Sequence, residues 1–202
     1  TVVINDVEVG FVETTDYPFN ETIEITIDRI ENESRSLDFT LLLRVPAWAD
    51  TYELRVNGEL ISLNAEKGCL HLKRMFRAGD QIALCFPFYL RTVPEAAGGV
   101  SVHYGPLLLA LPVEPQRRVL RGEEPFANYE MLPRSDWRFA VVESELASAH
   151  IERRNPGYLP FGESEPALRV TMRLAPAPQW RIEQHAAGPV PEPFAAKRNV
   201  LL

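Results

Sequence analysis

A few residues of this chain have the types and spacing that chemistry needs: two glutamate pairs, a serine–histidine segment, two cysteines and a set of aromatics. Glu163 and Glu165, like Glu143 and Glu145, stand at i, i+2, which on a strand turns both carboxylates to one face. Two carboxylates about 5 to 10 Å apart across a cleft are what glycoside hydrolysis requires, although pairs on one strand also arise as a solvated acidic edge. Gly99-Val100-Ser101-Val102-His103 invites comparison with the elbow that presents a serine nucleophile. It lacks the final glycine of Gly-x-Ser-x-Gly and no strand-to-helix turn follows, so Ser101 and His103 are expected as neighbours on one strand face. His71, His103, His150 and His185 show neither His-x-x-x-His nor His-x-His spacing, so they outline no zinc site. Cys69 and Cys85 are too few for a disulfide framework or a four-thiolate site. Each lies in an apolar strand pattern and reads as a small buried hydrophobe, with a Cys69–Cys85 disulfide as the alternative. No catalytic, metal or cofactor set emerges from the residues themselves.

The aromatics offer a different chemistry. Trp48, Trp137 and Trp180, with Tyr17, Tyr52, Tyr89, Tyr104 and Tyr158, could form a platform on which sugar rings stack. The competing reading places each indole at a sandwich end or in an interdomain seam, where large aromatics dominate packing. Asn20-Glu21-Thr22 and Asn32-Glu33-Ser34 match the glycosylation acceptor pattern, which is common by chance.

The elements that would hold these residues are strands. Thr22 to Asp28 alternates polar and apolar, the period-2 mark of a strand with one buried face. Phe39 to Val45 is mostly apolar, as a strand buried on both faces would be, and stops at Pro46. Glu53 to Val56 runs into Asn57-Gly58, a strong two-residue hairpin signal, with Glu59 to Leu63 as the return. Further strands are expected from Cys69, from Gln81 after the Ala78-Gly79-Asp80 turn, over Val100 to Tyr104, and over Leu107 to Leu111. In the second half, Trp137 to Val142 and Ala167 to Leu174 have the same character, separated by the proline-rich segment 155–162.

Residues 1–113 carry 16 acidic and 9 basic side chains, whereas 114–202 carry 12 of each and 11 of the 17 prolines. The expectation is therefore all-β: two consecutive antiparallel β-sandwich domains of jelly-roll or Ig-like type, 1–113 and a smaller, proline-rich 114–202. A net charge of −7 over 202 residues argues against nucleic acid as a partner. The longest apolar run, Leu107 to Val113, is far short of a membrane span. Nothing marks a compartment. The chain reads as a piece of something longer, starting inside a β-like segment and stopping at Val200-Leu201-Leu202 without a following turn.

Six motifs, in order, resemble one family. They are Asp16-Tyr17-Pro18-Phe19, Leu42-Leu43-Arg44-Val45-Pro46-Ala47-Trp48, Leu54-Arg55-Val56-Asn57-Gly58, Gly68-Cys69-Leu70-His71-Leu72-Lys73-Arg74, Ala78-Gly79-Asp80-Gln81-Ile82, and Tyr104-Gly105-Pro106 with the leucines after it. Together they are similar to the region after the catalytic domain in glycoside hydrolase family 127, the β-L-arabinofuranosidase-like family. The resemblance implies a larger parent. Its N-terminal (α/α)6 barrel would carry a cysteine nucleophile and a zinc ion, and its substrate would be an arabinose-containing glycan of plant type or similar. A zinc-bound thiolate is deprotonated at neutral pH, which suits attack on an anomeric carbon. None of those positions is matched here, so no catalytic role and no cofactor is expected on this chain, and Cys69 and Cys85 are read as packing residues. In relatives a strand like Val200-Leu201-Leu202 leads through a turn into a final strand, so an unfilled sheet edge and edge-to-edge self-association are further expectations. Three readings result: an accessory pair of sandwiches that braces the barrel, an autonomous carbohydrate-binding module, and an Ig-like interaction module without a sugar role.

Overall fold

The computed structural model describes the chain apart from residues 96–97, 163–164, 184–185, 192–197 and 202. The described residues form antiparallel sheets and a short 3-10 helix, Glu143–Ser148. The chain divides into two compact units: Thr1–Tyr89 with Gly105–Leu107, and Leu90–Tyr104 with Leu108–Leu202. This division falls earlier than the composition change at Glu114.

The first unit holds β1 (Val2–Ile4), β2 (Val7–Thr15), β3 (Thr22–Ile30), β4 (Ser36–Arg44), β5 (Glu53–Val56), β6 (Glu59–Leu60), β7 (Cys69–Arg77) and β8 (Gln81–Cys85). Six of them make one sheet in the order β1-β2-β3-β8-β5-β6, and β4 pairs with β7 in a second. Register explains the core. Ile25 faces Ile82, which faces Val56, and Ile23 faces Leu84, which faces Leu54, so two apolar rows cross three strands on one face. The β4–β7 ladder adds Phe39, Leu43, Leu70, Leu72 and Phe76. Phe11 meets Phe39 edge-on at 6.3 Å, and Phe39 stacks on Phe76 at 4.4 Å, joining the two sheets through three rings. Full burial of a side chain of this size stabilises by about 1.5 to 3 kcal/mol.

One expectation fails here. The apolar run through β4 is not buried on both faces: Phe39 and Leu43 are buried, while Leu42 is 59% exposed. The ladder has two strands with one side on the core, so the other side, with Leu42 opposite His71 and Asp38 opposite Met75, faces outward. The return strand after Gly58 is also shorter than its apolar pattern, covering only Glu59–Leu60. The turn itself is as read, with φ of 50° at Asn57 and 83° at Gly58, the pair of positive values that a two-residue hairpin needs.

The second unit contains β9 (Leu90–Pro94), β10 (Val100–Tyr104) and β11 (Leu107–Leu109) in one sheet, and the hairpin β12 (Pro115–Arg121) with β13 (Asn128–Pro133). It also contains β14 (Phe139–Val141), β15 (His150–Arg153), β16 (Leu168–Pro176), the short pair β17 (Ile182–Glu183) and β18 (Ala186–Ala187), and β19 (Arg198–Leu201). Strand β16 is the axis: β14 and β15 pair with its two ends, and β19 pairs with its middle, from Thr171 to Leu174. Val170, Met172, Leu174 and Ala175 on β16 are buried with Ala140 and Ala177. Several of these side chains are small, so this core holds less apolar volume than the aromatic-rich core of the first unit. Every residue of β12 is exposed.

Candidate functional site

The three tryptophans lie in two settings. Trp48 follows β4 in a turn closed by Ala49 N donating to Pro46 O, at 3.0 Å. Its indole meets Phe86 at 6.1 Å and Phe88 at 5.7 Å, both edge-on, so it packs against the core of the first unit. Trp137 and Trp180 come together in the second unit, with ring centroids 5.4 Å apart and planes inclined by 49°. They form a tilted wall, not a coplanar platform. Trp180 Nε1 donates to Gly188 O at 2.7 Å, which fixes that ring.

A groove runs along this wall in two adjoining hollows that share Pro133, Trp137 and Ile182. The first, of about 360 Å³, is apolar and is lined by Val113, Pro115, Met131 and Leu132. Hairpin register accounts for part of it, because Pro115 lies opposite Pro133 and Met131 sits two residues before on the same face. The second, of about 410 Å³, is lined by Arg134, Asp136, Arg138, Trp180 and Arg181. Arg138 Nη1 and Arg181 Nη1 both donate to Pro178 O, at 3.1 and 2.7 Å, and Arg138 Nη2 reaches Asp136 Oδ1 at 3.5 Å. The polar half thus holds three arginines and one aspartate, with Arg138 paired to it. The pairing of Trp137 with Trp180 spans 43 positions of sequence, and no local pattern announces it.

The other chemical candidates resolve differently. Ser101 and His103 are neighbours on β10, with Ser101 Oγ 2.9 Å from His103 Nε2 and donating to Glu95 Oε1 at 2.7 Å. The hydroxyl has one hydrogen and the carboxylate takes it, so the imidazole is the donor in the other contact. A serine that gives its proton to a glutamate while accepting from histidine is not poised as a nucleophile with a histidine base. Burial, with the charge of Arg91, pushes the His103 pKa below its ordinary value, against an opposing pull from Glu95. Glu143 and Glu145 lie in the 3-10 helix, not on a strand, and Glu143 Oε1 accepts from Thr92 Oγ1 at 3.0 Å. The Glu163–Glu165 pair falls partly outside the described residues, as does His185. Cys69 and Cys85 are free and half-buried, not fully buried as their strand patterns led us to expect. Among the described residues no three His, Cys, Asp or Glu side chains converge as metal ligands. Among the described residues no helix is long and apolar enough to cross a membrane.

Comparison with known proteins agrees with the motif reading. Residues 1–88 match the family described as β-L-arabinofuranosidase, GH127 middle domain. A search of curated proteins found no match. Among solved structures, the chain is similar to a GH127 β-L-arabinofuranosidase from Geobacillus stearothermophilus T6. That likeness has a TM-score of 0.59 and 21% identity, over 99% of this chain and 28% of that one. It is similar to the GH127 β-arabinofuranosidase BT3674, with a TM-score of 0.54 and 16% identity, over 99% of this chain and 29% of that one. It is also similar to a protein described as a glycoside hydrolase, with a TM-score of 0.50 and 17% identity, over 96% of this chain and 29% of that one. At such identities the structural likeness speaks for a shared fold, and the chain spans less than a third of each of these proteins. Over residues 1–88, then, this chain is similar to the middle domain of the GH127 β-L-arabinofuranosidase family.

Proposed function

We propose that the chain is the non-catalytic β region of a larger GH127-like glycoside hydrolase, bracing an N-terminal helical catalytic domain of the same polypeptide. The observation that carries this is the GH127 middle-domain match over 1–88 in a chain that aligns along 99% of its length with only 28% of a GH127 enzyme. The parent would hydrolyse β-L-arabinofuranosides or related arabinose-containing glycans. Each unit is read as a β-sandwich. Zinc and the cysteine nucleophile would belong to the catalytic domain, as the family resemblance implies.

The test is hydrolysis of an aryl β-L-arabinofuranoside by the 202-residue chain and by the full parent. The parent is expected to release the aryl group, and the chain alone to give no more than buffer or a heat-killed control. Turnover by the chain itself would overturn the non-catalytic assignment.

A further inference from the structure

We propose that the Trp137–Trp180 groove binds a glycan through a uronic acid residue, with the sugar ring on the indole of Trp137 and its carboxylate on Arg134 and Arg138. The choice of a glycan rests on the reading of the parent as a glycan hydrolase. The choice of an acidic sugar rests on the groove alone.

The groove is amphipathic along its length. Trp137 lies at the junction of an apolar hollow and a hollow with three guanidinium groups and one carboxylate. The C–H face of a pyranose is flat and apolar and fits an indole wall, while its hydroxyls and any carboxylate lie at the ring edge. A ring against Trp137 therefore directs its edge toward the arginines. Guanidinium groups bind carboxylates through paired, charge-assisted bonds. Arg138 and Arg181 are already held by Pro178 O, and each retains further N–H donors, so little side-chain freedom is lost on binding. Arg134 is exposed at the rim. The local excess of positive charge stands out in a chain whose net charge is −7. The neighbouring apolar hollow, of about 360 Å³, would take the next sugar of the chain.

The experiment is calorimetric titration of the 202-residue chain with trigalacturonate and with a glucuronic acid-bearing xylo-oligosaccharide. The methyl ester of each, a neutral arabinotriose and a tetraglutamate peptide serve as comparisons. At least one acidic glycan should bind, and its methyl ester, which keeps the ring and removes the charge, should bind about tenfold more weakly, as the loss of a charge-assisted bond implies. Trp137→Ala, shown folded by an unchanged circular dichroism spectrum, should abolish binding. Arg134→Glu, a substitution at an exposed rim position, should weaken it at least as much as esterification does. Binding of neither acidic glycan, equal binding of acid and ester, equal binding of the peptide, or binding unaffected by Arg134→Glu would each overturn the proposal. No step of the titration depends on turnover. Failure of the arabinofuranosidase reading would show in the hydrolysis assay instead.

Discussion

Replacing Asp80 by alanine tests the logic of the first unit at one residue. Asp80 is 9% exposed and sits at the turn between β7 and β8. Its Oδ2 accepts from Arg77 N at 2.8 Å, and its Oδ1 accepts from Asn57 Nδ2 at 2.9 Å. Asn57 Oδ1 in turn accepts from Gln81 N at 2.8 Å. The β7–β8 turn and the β5–β6 turn are therefore pinned through one carboxylate and one amide. A hydrogen bond to a charged group contributes about 1.5 to 3 kcal/mol, and a buried donor left without a partner costs about 1 to 3 kcal/mol. Both donors are only partly buried, so Asp80→Ala should cost about 2 to 4 kcal/mol in total. Asp80→Asn keeps one acceptor but turns an amide N–H₂ toward a donor, and should fall between the variant and the parent. Hydrogen exchange of β5 and β8 amides reads the effect directly: protection should drop about 30- to 1000-fold. Combined with Asn57→Ala, the loss should be less than additive, since both changes remove the same bond. A loss under about 0.5 kcal/mol, or strict additivity with Asn57→Ala, would refute this account of the turns.

Three further outcomes follow from the geometry. Leu43→Ala should destabilise by about 2 to 5 kcal/mol in urea unfolding, whereas Leu42→Ala one residue earlier should change stability by no more than about 0.5 kcal/mol, since Leu43 is buried and Leu42 faces outward. Gly105 has φ of 54°, and a Cβ there would lie 2.6 Å from Phe88 Cδ1, so Gly105→Ala should lower the melting temperature through both strain and overlap. The depressed His103 pKa predicts an NMR titration midpoint below 6.5. The unfolded chain then takes up the proton first. The contribution of neutral His103 should be whole above about pH 6.5 and fade as pH falls through the folded value, a dependence that His103→Gln should flatten. A midpoint at or above 6.5 would contradict the burial argument.

How much of this was legible in the sequence depended on distance along the chain. The β3 alternation, the Asn57-Gly58 turn and the Gly79-Asp80 turn are local signals, and each lies in the structure where its residues place it. The apolar run of β4 misled because hydrophobicity alone does not reveal that a strand has a single partner and an open outer face. The Glu143–Glu145 pair misled because two acidic residues opening a 3-10 turn look like two residues on one strand face. The hairpin strand β12 has every residue exposed and offers no buried-face pattern to read. The groove was invisible for a different reason. Its walls come from the hairpin, the segment before β14 and the segment after β16, and only folding brings Trp137 to Trp180.

The central claim is that these residues serve a larger GH127-like hydrolase, and the coding frame upstream of Thr1 tests it most directly. The account predicts an in-frame helical-barrel domain containing an adjacent Cys-Cys pair and a glutamate placed to share a zinc ion with cysteines. A frame that opens near Thr1, or an upstream domain of another kind, would contradict it.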